Sequence, residues 1–442
     1  MLPALLAFAA SVAAAQAPAK GYVVRADSAT VWLDLTAADG AAAGRIFEIY
    51  VEGPELRHPV TGASLGRVET RVAGGRIVDV SARYSTGRLD DGAARAGQRV
   101  KLTSSVAGAA PAAASPDDDQ PGDAPRRKPK SRGAALDFAA VGMAVGDFDG
   151  IGRPEVALAS ENRIYLYAYP AADAKSLAEA DVPGTGTRVL GLEAGKLDGD
   201  ARDSLFVSVH DSAFQRFETR VYKLESGRWL KTAELPFLTH GDQDASGART
   251  LATQQVVDDS SFPFGRVYPL VYADGRYAQG PVPLKSRRAD WLFGFTDATL
   301  GGQDATVLTT PSHALRVQFD KGQWRTPDDG YGQTPVRVRW GGRLLEFQPP
   351  LAVAYGADGA ATVYAVRNLA ALGGLGGPFG LFNRGEVTSK RWDGLGLENV
   401  WHAPITGCAQ GLTLAEPAPG RRELLVAVRG AAGRSSVWVY DP

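Results

Sequence analysis

The chain has 442 residues, 44% of them apolar and 22% charged, which is the balance of a soluble globular protein with room for two or three domains. Its net charge of −1 argues against a general electrostatic attraction to nucleic acid or anionic membranes. A single cysteine, Cys408, excludes an intrachain disulfide, and 52 glycines with 27 prolines favour many short strands over long helices.

The first 17 residues have the pattern of a secretion signal. Residues 2–12 are apolar and small, and AAAQAPAK follows, as in a hydrophobic region that ends at small residues before a cleavage site. We therefore expect residues 1–17 to be a signal peptide that directs secretion across the inner membrane, to the periplasm or outer envelope. A disordered Ala-rich tail is the alternative. No later run reaches the roughly 20 apolar residues of a membrane span, so none is predicted.

Residues 20–102 are predicted to form a small β-barrel. Short strands read YVVRA, ATVWLDL, RIFEIYVEG, GRVETRV, RIVDVSARY and QRVKL, and several alternate apolar and polar side chains. Turn signals between them lie at Asp39-Gly40, Thr61-Gly62, Gly74-Gly75 and Asp91-Gly92. The stretches GRIFEIYVEG, HPVTGASLGRVET and GQRVKL resemble the C-terminal domain of the flagellar assembly protein T family. This resemblance implies an envelope protein with a binding or assembly role.

Residues 103–134 are predicted to be a disordered linker. The sequence TSSVAGAAPAAASPDDDQPGDAPRRKPKSRGA offers almost no large apolar side chain to bury. An acidic cluster at residues 117–119 precedes a basic cluster at residues 126–130. The basic cluster is interpreted as part of a solvated linker, with contact to phosphate or a lipid headgroup as the alternative.

Residues 135–442 repeat with a period near 50 residues. One mark is the frame GDFDG at Gly146, which returns as GKLDGD from Gly195 and GDQDAS from Gly241 and is weaker from Gly294, Tyr355 and Gly407. The second mark is a hairpin that ends in an aromatic residue. It is found at Trp229, Tyr277 and Trp324, with Trp392 as a further candidate.

This period, with about four short strands a unit, predicts an all-β fold in which a β-propeller follows the small barrel. Six blades are favoured. Seven are the alternative, because the hairpin VRVRWGGRLLEF at residues 336–347 is additional material. The last blade lacks a strand, and we expect ALDFA at residues 135–139 to supply it and close the ring.

The first frame has the chemistry of a calcium loop, since calcium takes six to eight oxygen ligands. It resembles the FG-GAP or VCBS repeats of integrin-α-like propellers, whose loop reads roughly DxDGDGxxD. By that resemblance the ligands would be Asp147, Asp149, the Arg153 carbonyl and the Glu155 carboxylate, while Ile151 occupies a position that is usually Asp or Asn. The alternative is an Asx-turn, in which each aspartate caps its own backbone.

The later loops are weaker calcium candidates. The second retains Asp198 and Asp200, but Lys196 stands at its first ligand position, where an ammonium could replace the charge of the ion. The third retains Asp242 and Asp244.

Together these features predict a non-enzymatic binding or scaffold protein of the cell envelope, with a protein or glycan partner and structural calcium. The motif GASLG at residues 62–66 lacks the following helix that a nucleophile elbow needs. One alternative is a propeller-based glycan hydrolase or lyase with acidic residues in the central channel. Another is a lectin, which would expose tryptophans that we otherwise expect to pack between blades.

Overall fold

The computed structural model describes residues 20–27, 30–57, 64–92, 94–102, 124–243, 249–256, 264–284, 291–327, 330–370, 380–430 and 433–442; within these ranges, side chains are not described at residues 20, 52–57, 64–71, 90–92, 242, 243, 249 and 264. Contacts divide the chain into two compact units, Met1–Asp118 and Asp119–Pro442. Apart from the short 3-10 helix Ala37–Asp39, the regular elements of the described residues are strands. Among those residues, no helix has the length and apolar character needed to cross a membrane.

The first unit contains the predicted six-stranded barrel. Its strands are Lys20–Asp27 (β1), Thr30–Leu33 (β2), Ile46–Arg57 (β3), Ser64–Val80 (β4), Ser85–Gly92 (β5) and Arg99–Leu102 (β6). They follow the order β1-β2-β5-β4-β3-β6, and β6 pairs back with β1 to close the barrel. Alternate side chains fill the interior, including Val31, Leu33, Phe47 and Ile49.

Two turn predictions in the barrel were wrong, and strand β5 was not predicted. GRVETRV and the start of RIVDVSARY form one long strand, β4, so Gly74-Gly75 is not a turn, and Asp91-Gly92 ends strand β5. The physical reason is the ring of Phe47. At Gly75 an added Cβ would lie 2.2 Å from the Arg88 carbonyl oxygen and 2.8 Å from this ring, and at Gly87 it would lie 2.3 Å from the ring. The glycines therefore make room for a core side chain and for the neighbouring strand. The predicted turn at Thr61-Gly62 lies outside the described residues.

The second unit is a propeller of six four-stranded antiparallel sheets. A short strand, Ser131–Arg132 (β7), precedes the blades. Blades 1 to 3 comprise Gly142–Gly146 (β8), Glu155–Ala159 (β9), Arg163–Ala168 (β10), Ala178–Asp181 (β11); Thr187–Gly195 (β12), Ser204–Asp211 (β13), Arg216–Glu225 (β14), Arg228–Leu235 (β15); Leu238–Gln243 (β16), Arg249–Val256 (β17), Phe264–Ala273 (β18) and Arg276–Gln279 (β19).

The remaining strands build blades 4 to 6 and one separate hairpin. They are Phe295–Leu300 (β20), Gln303–Thr309 (β21), Leu315–Phe319 (β22), Gln323–Arg325 (β23); the hairpin Arg337–Trp340 (β24) and Arg343–Glu346 (β25); Ala352–Tyr355 (β26), Ala361–Ala370 (β27), Phe382–Trp392 (β28), Leu397–Thr406 (β29); Cys408–Ala418 (β30), Arg421–Arg429 (β31) and Ser435–Tyr440 (β32). The hairpin pairs only with itself, so the six-blade prediction is confirmed and the seven-blade alternative is wrong. Trp392 ends strand β28, so its predicted hairpin is a single strand.

The ring is closed by residues that precede blade 1. Strand β7 pairs with β32 and completes blade 6. Closure by this part of the chain was predicted, but its place was wrong, since β7 lies four residues before ALDFA. Of that stretch, Leu136 still pairs with Ser435 in an isolated bridge.

We name residues 125–136 the clasp, because they tie blades 5, 6 and 1 together. Arg126 pairs with His402 on blade 5, and the Ala134 amide donates to the Ala172 carbonyl on blade 1. The clasp overlaps residues 125–134 of the predicted linker, so that part of the linker packs on the propeller, although Arg126, Lys128 and Lys130 are exposed as predicted.

The basic side chains of the clasp contact aromatic rings and a carboxylate of the propeller. The Arg127 guanidinium lies 4.9 Å from the Trp401 ring centroid, and that of Arg132 lies 4.1 Å from the Trp438 centroid. Lys130 Nζ lies 2.6 Å from Oε1 of the buried Glu423. Each contact joins residues more than 270 positions apart in the sequence, so local composition could not reveal it.

Candidate functional site: two cation loops and the channel

The first candidate loop joins strands β8 and β9 of blade 1. Gly146 and Glu155 pair across the base of the loop, which brings the two ends together. Gly150 and Gly152 both have φ of +80°, a left-handed conformation that L side chains rarely adopt. The glycines therefore allow the tight turn that returns the chain to Glu155.

Three carboxylates of this loop converge as the sequence predicted. Oxygens of Asp147, Asp149 and Glu155 all lie within 4.8 Å of one another. Two oxygens bound to one calcium at about 2.3–2.6 Å can be at most about 5 Å apart, so this spacing fits a shared ion. Ile151 points outward, with 68% of its surface exposed, and Arg153 is exposed just before strand β9, where only its carbonyl is a candidate ligand.

The same carboxylates also make the hydrogen bonds of a turn. Asp147 accepts from the amides of Gly150 and Gly152, at 2.9 and 3.2 Å, and Asp149 accepts from Ile151 at 3.0 Å. These bonds match the Asx-turn alternative. They use only part of the acceptor capacity of each carboxylate, which has about four lone-pair sites. The turn and the ion site are therefore compatible.

Glu155 is the buried carboxylate of the cluster, and its pKa is raised. It is only 5% exposed, and its Oε2 accepts a 2.8 Å hydrogen bond from the Phe148 amide. Burial raises the pKa of Glu155 to about 7; the Phe148 bond opposes this shift, and the nearby carboxylates of Asp149 and Asp147 add to it. A group with this pKa is partly protonated near neutral pH.

The second loop contains an ammonium group where the first has none. Lys223 Nζ, from strand β14, lies 2.6 Å from Asp198 Oδ2 and 2.9 Å from Asp200 Oδ2. Arg202 adds a 3.0 Å ion pair with Asp200. The ammonium predicted for this loop was that of Lys196, but Lys196 is exposed and Lys223 is the residue that pairs with Asp198 and Asp200.

The pKa values of the two blade 2 aspartates reflect this pairing. Burial alone would raise the pKa of Asp198, but hydrogen bonds from Lys223, the Asp200 amide and Tyr277 outweigh it and lower the pKa. Hydrogen bonds from Arg202 and then Lys223 hold the pKa of Asp200 well below its usual range. Both carboxylates are therefore charged and neutralised from within the chain.

The loops of the later blades have fewer candidate cation ligands. Asp242 lies in strand β16, opposite Thr250, while its side chain and all of Asp244 lie outside the described residues. Asp297, the candidate ligand in the weaker copy from Gly294, lies in strand β20 and not in a loop, and it accepts a 2.6 Å hydrogen bond from Thr306 Oγ1. Asp358 caps the Ala360 amide in a simple turn. Of the predicted ligand sets, blade 1 is the one whose described side chains form a cluster without a cation.

The two sequence marks of the repeat meet between neighbouring blades. Trp229 of blade 2 packs edge-on against Phe148 in the blade 1 loop, with ring centroids 5.4 Å apart. Tyr277 of blade 3 donates a 3.0 Å hydrogen bond to Asp198 in the blade 2 loop. Trp229 is buried, as expected for packing between blades, and Trp324 of blade 4 and Trp392 of blade 5 are partly buried with their ring centroids 6.2 Å apart. The hairpin aromatic of one blade thus supports the loop of the blade before it.

Sequence reasoning missed two residues of these loops. Asp203 accepts a 2.8 Å hydrogen bond from the Asp147 amide and so links the loops of blades 1 and 2. Lys223 lies on a different strand from its partners, and no local motif marks it. Asp203 stands in the second copy of the frame, where its carboxylate was a visible signal.

The central channel is narrow and contains little acid. Its lining comes mainly from the first strands of the six blades, and the cavity has a volume of about 60 Å³, far below the several hundred Å³ of typical ligand pockets. Among the described lining residues, Glu193 is the single carboxylate, and its Oε1 lies 3.2 Å from His240 Nδ1. A second depression of about 270 Å³ lies beside Asp147, Asp203 and Glu416.

No known family matches the sequence, and no curated protein does. Solved structures with similar folds include BBS1N in complex with ARL6DN, soaked with lead (10% identity, TM-score 0.33, 69% of this chain and 79% of that chain), and Sqt1 of Saccharomyces cerevisiae (10%, 0.37, 71% and 98%). The Dos1 propeller is 12% identical, with a TM-score of 0.31 over 68% of this chain and 67% of that one. Likenesses this weak identify neither a family nor a function, and the propeller assignment rests on the sheet topology.

Proposed function

We propose that this chain is a non-enzymatic binding protein of the cell envelope, exported by residues 1–17, whose propeller presents a rigid platform to a protein or glycan partner. In this proposal the blade 1 loop binds a structural calcium ion through Asp147, Asp149 and Glu155. The N-terminal sequence pattern supports export. The mass of the exported protein, which shows whether residues 1–17 have been removed, tests it. The platform role is supported by the fold, because propeller loops project from a rigid scaffold.

One contrast carries the calcium proposal. Blades 1 and 2 have related loops, and the carboxylates of blade 2 are neutralised by Lys223 and Arg202. Among the described residues, no lysine or arginine forms an ion pair with Asp147, Asp149 or Glu155. Clustered carboxylates without a counter-charge repel one another. A divalent cation with oxygen preference would remove that repulsion.

The channel favours the binding role over the glycan hydrolase or lyase. Glycoside hydrolysis ordinarily uses a pair of carboxylates flanking the scissile bond. The described channel lining offers only Glu193, in a cavity of about 60 Å³. A lectin role has less support, because three of the eight tryptophans are buried and the other five are only partly exposed.

Calcium is expected to raise the thermal midpoint of the wild-type propeller and not that of an Asp147→Asn, Asp149→Asn variant. An ion that binds only the folded state stabilises it by about 3 kcal/mol at a hundredfold excess over its Kd, which is a shift of several degrees. The measurement is a thermal melt of the mature chain in calcium and in chelator. An Asp274→Asn, Asp304→Asn variant, which changes two exposed aspartates in other blades, should respond like the wild type. Equal midpoints of the wild type in calcium and chelator would contradict the site.

Without metal, the stability of the wild-type chain is expected to fall as pH rises from 5 to 8. The pKa of Glu155 is about 7 in the folded state, above the ordinary value of 4.5. Protonation of Glu155 therefore stabilises the folded state relative to the unfolded state by at most about 3 kcal/mol. This contribution is complete below pH 4.5 and is lost as the pH rises through 7.

Glu155→Gln should remove that pH dependence, because the side-chain amide of glutamine does not ionise in this pH range. Urea unfolding in chelator at pH 5 and pH 8 measures it, with the exposed Glu161→Gln as the matched control. If the free energy of unfolding of Glu155→Gln falls with pH as steeply as that of the wild type, Glu155 is not the group responsible. With calcium present, the wild-type decline should become smaller, because the ion replaces the proton.

A further inference from the structure

The hairpin β24–β25 is the one sheet of the described propeller unit that belongs to no blade. Toward blade 2, the Arg188 guanidinium donates to the Arg337 carbonyl at 3.2 Å. Toward blade 5, the Arg337 guanidinium lies 5.6 Å from the ring centroid of Phe382, on strand β28. Blades 2 and 5 face each other in a ring of six, so a hairpin that touches both crosses the axis of the propeller.

The hairpin covers one end of the central channel. Its apolar side chains share one core cluster with side chains from the first strands of blades 2, 3 and 4, which surround the channel. The members of the cluster used here are Val336, Val338, Leu345 and Phe347 from the hairpin segment, and Leu190, Leu238 and Phe295 from strands β12, β16 and β20. The cation loops lie at the other end, where β12 finishes at Gly195. The hairpin is therefore a plug at the end of the channel opposite the cation loops.

A buried histidine lies beneath this plug. His210 on strand β13 is paired with Arg188 on β12 and with Phe217 on β14, so the three side chains form one row on one face of blade 2. Both neighbours of His210 contact the hairpin. Arg188 does so through the hydrogen bond above, and Phe217 through Trp340 and Phe347, with ring centroids 6.0 and 6.2 Å apart. The His210 ring lies 4.7 Å from that of Phe217, so the hairpin covers the row that contains the histidine.

The surroundings of His210 favour its neutral form. The residue is 6% exposed, and its Nε2 is buried without a hydrogen-bond partner among the described residues. Burial lowers the pKa of His210; the Asp211 carboxylate opposes this shift, and the Arg188 guanidinium adds to it. An imidazolium here would place a buried N–H without an acceptor on the same face as a guanidinium, which is costly.

The other charged groups around this face form ion pairs with one another. These pairs are Arg188 with Glu161, Arg216 with Glu218, and Arg337 with Glu346, at 2.8, 3.0 and 3.2 Å. Arg339 and Arg343 of the hairpin are exposed. A second histidine, His313, lies 3.7 Å from Glu346. Protonation of His313 would strengthen an ion pair with the hairpin, which is the opposite of the effect of protonating His210.

We propose that the hairpin β24–β25 is a pH-sensitive plug of the channel, which is released when His210 takes up a proton. In the released state the row on blade 2 is open to water, and the imidazolium is solvated. The docked state then binds fewer protons than the released state. Docking is therefore complete above the pKa of a solvated histidine, near 6.5, and weakens by up to about tenfold for each pH unit below it, until the lowered pKa of the docked state is reached.

Hydrogen exchange of the full mature chain tests the plug, read by mass spectrometry at pH 7.5, 6.0 and 5.0 and corrected for the intrinsic exchange rate at each pH. We expect the protection of residues 336–347 to fall about fivefold or more between pH 7.5 and 5.0. The protection of strand β31 in blade 6 should stay constant. His210→Gln and His210→Leu carry no titrating group, so protection of their hairpin should not change with pH. The matched control is His402→Gln, a partly buried histidine on blade 5, which should respond like the wild type.

Four outcomes would overturn the inference. They are constant hairpin protection in the wild type, an equal loss at low pH in both His210 variants, an equal loss in strand β31, and a response that disappears in His313→Gln. The pH dependence of protection is the readout, so a variant with a uniformly looser hairpin still gives an answer. Glu155 titrates in the same range, but its protonation stabilises the whole fold, so local protection and not the melting midpoint separates the two groups. The plug requires neither calcium nor a partner, and its failure would leave the proposed function untouched.

Discussion

Lys223→Ala is expected to destabilise the propeller by about 3 kcal/mol in metal-free buffer, the low end of the cost of removing one partner from a buried ion pair. Lys223 is 17% exposed, and its partners Asp198 and Asp200 are 7% and 23% exposed. Without the ammonium, two partly buried carboxylates face each other with Arg202 as the remaining cation. Chemical unfolding in chelator measures the loss.

Calcium is expected to restore part of that stability in Lys223→Ala. The variant loop has the carboxylates of a cation site and space where the ammonium was, so it should come to resemble the blade 1 loop. The wild-type blade 2 loop should show no calcium response, because its site is filled by Lys223. Lys231→Ala, which removes an exposed partner of Glu234 on the neighbouring strand, is the control. A Lys223→Ala variant that is destabilised yet indifferent to calcium would show that the ammonium does not stand in for an ion.

A propeller that begins at residue 135 is expected to melt roughly 10 °C or more below one that begins at residue 124, or to show no cooperative transition. The shorter chain lacks the outer strand of blade 6 and the contacts of Arg127, Lys130 and Arg132 with the propeller. It also leaves the buried Glu423 without Lys130. Both chains lack the barrel, so the comparison isolates the clasp. Equal midpoints would mean that the clasp does not stabilise the ring.

One substitution in the full chain also tests whether the clasp stabilises the propeller. An added Cβ at Gly133 would lie 2.3 Å from the Ala171 carbonyl oxygen, so Gly133→Ala must displace the clasp from blade 1. The cost should be about 1–3 kcal/mol, as for other overpacked sites. At Gly430, in the same blade, an added Cβ would lie 3.5 Å from the nearest atom, an ordinary contact. Gly430→Ala should therefore be close to neutral, and equal effects of the two variants would contradict the docked clasp.

The carboxylate cluster of blade 1 could be predicted because its residues are close in the sequence. Asp147, Asp149 and Glu155 lie within nine residues, and the glycines between them permit a tight turn. The charge balance of blade 2 could not be predicted in the same way. Asp198 lies before strand β13 and Lys223 lies near the end of β14, and only the pairing of these strands brings the ammonium to the carboxylates.

By itself, the sequence determined the class of the fold. Alternating side chains specify strands, and a period near 50 residues specifies stacked blades, because both signals depend on neighbours along the chain. Only the tertiary structure decided where the ring closes, which loop has an internal cation and why Gly75 is not a turn. Each of these depends on a contact between distant residues, such as Lys130 with Glu423 or Gly87 with Phe47, whose geometry arises when the sheets assemble.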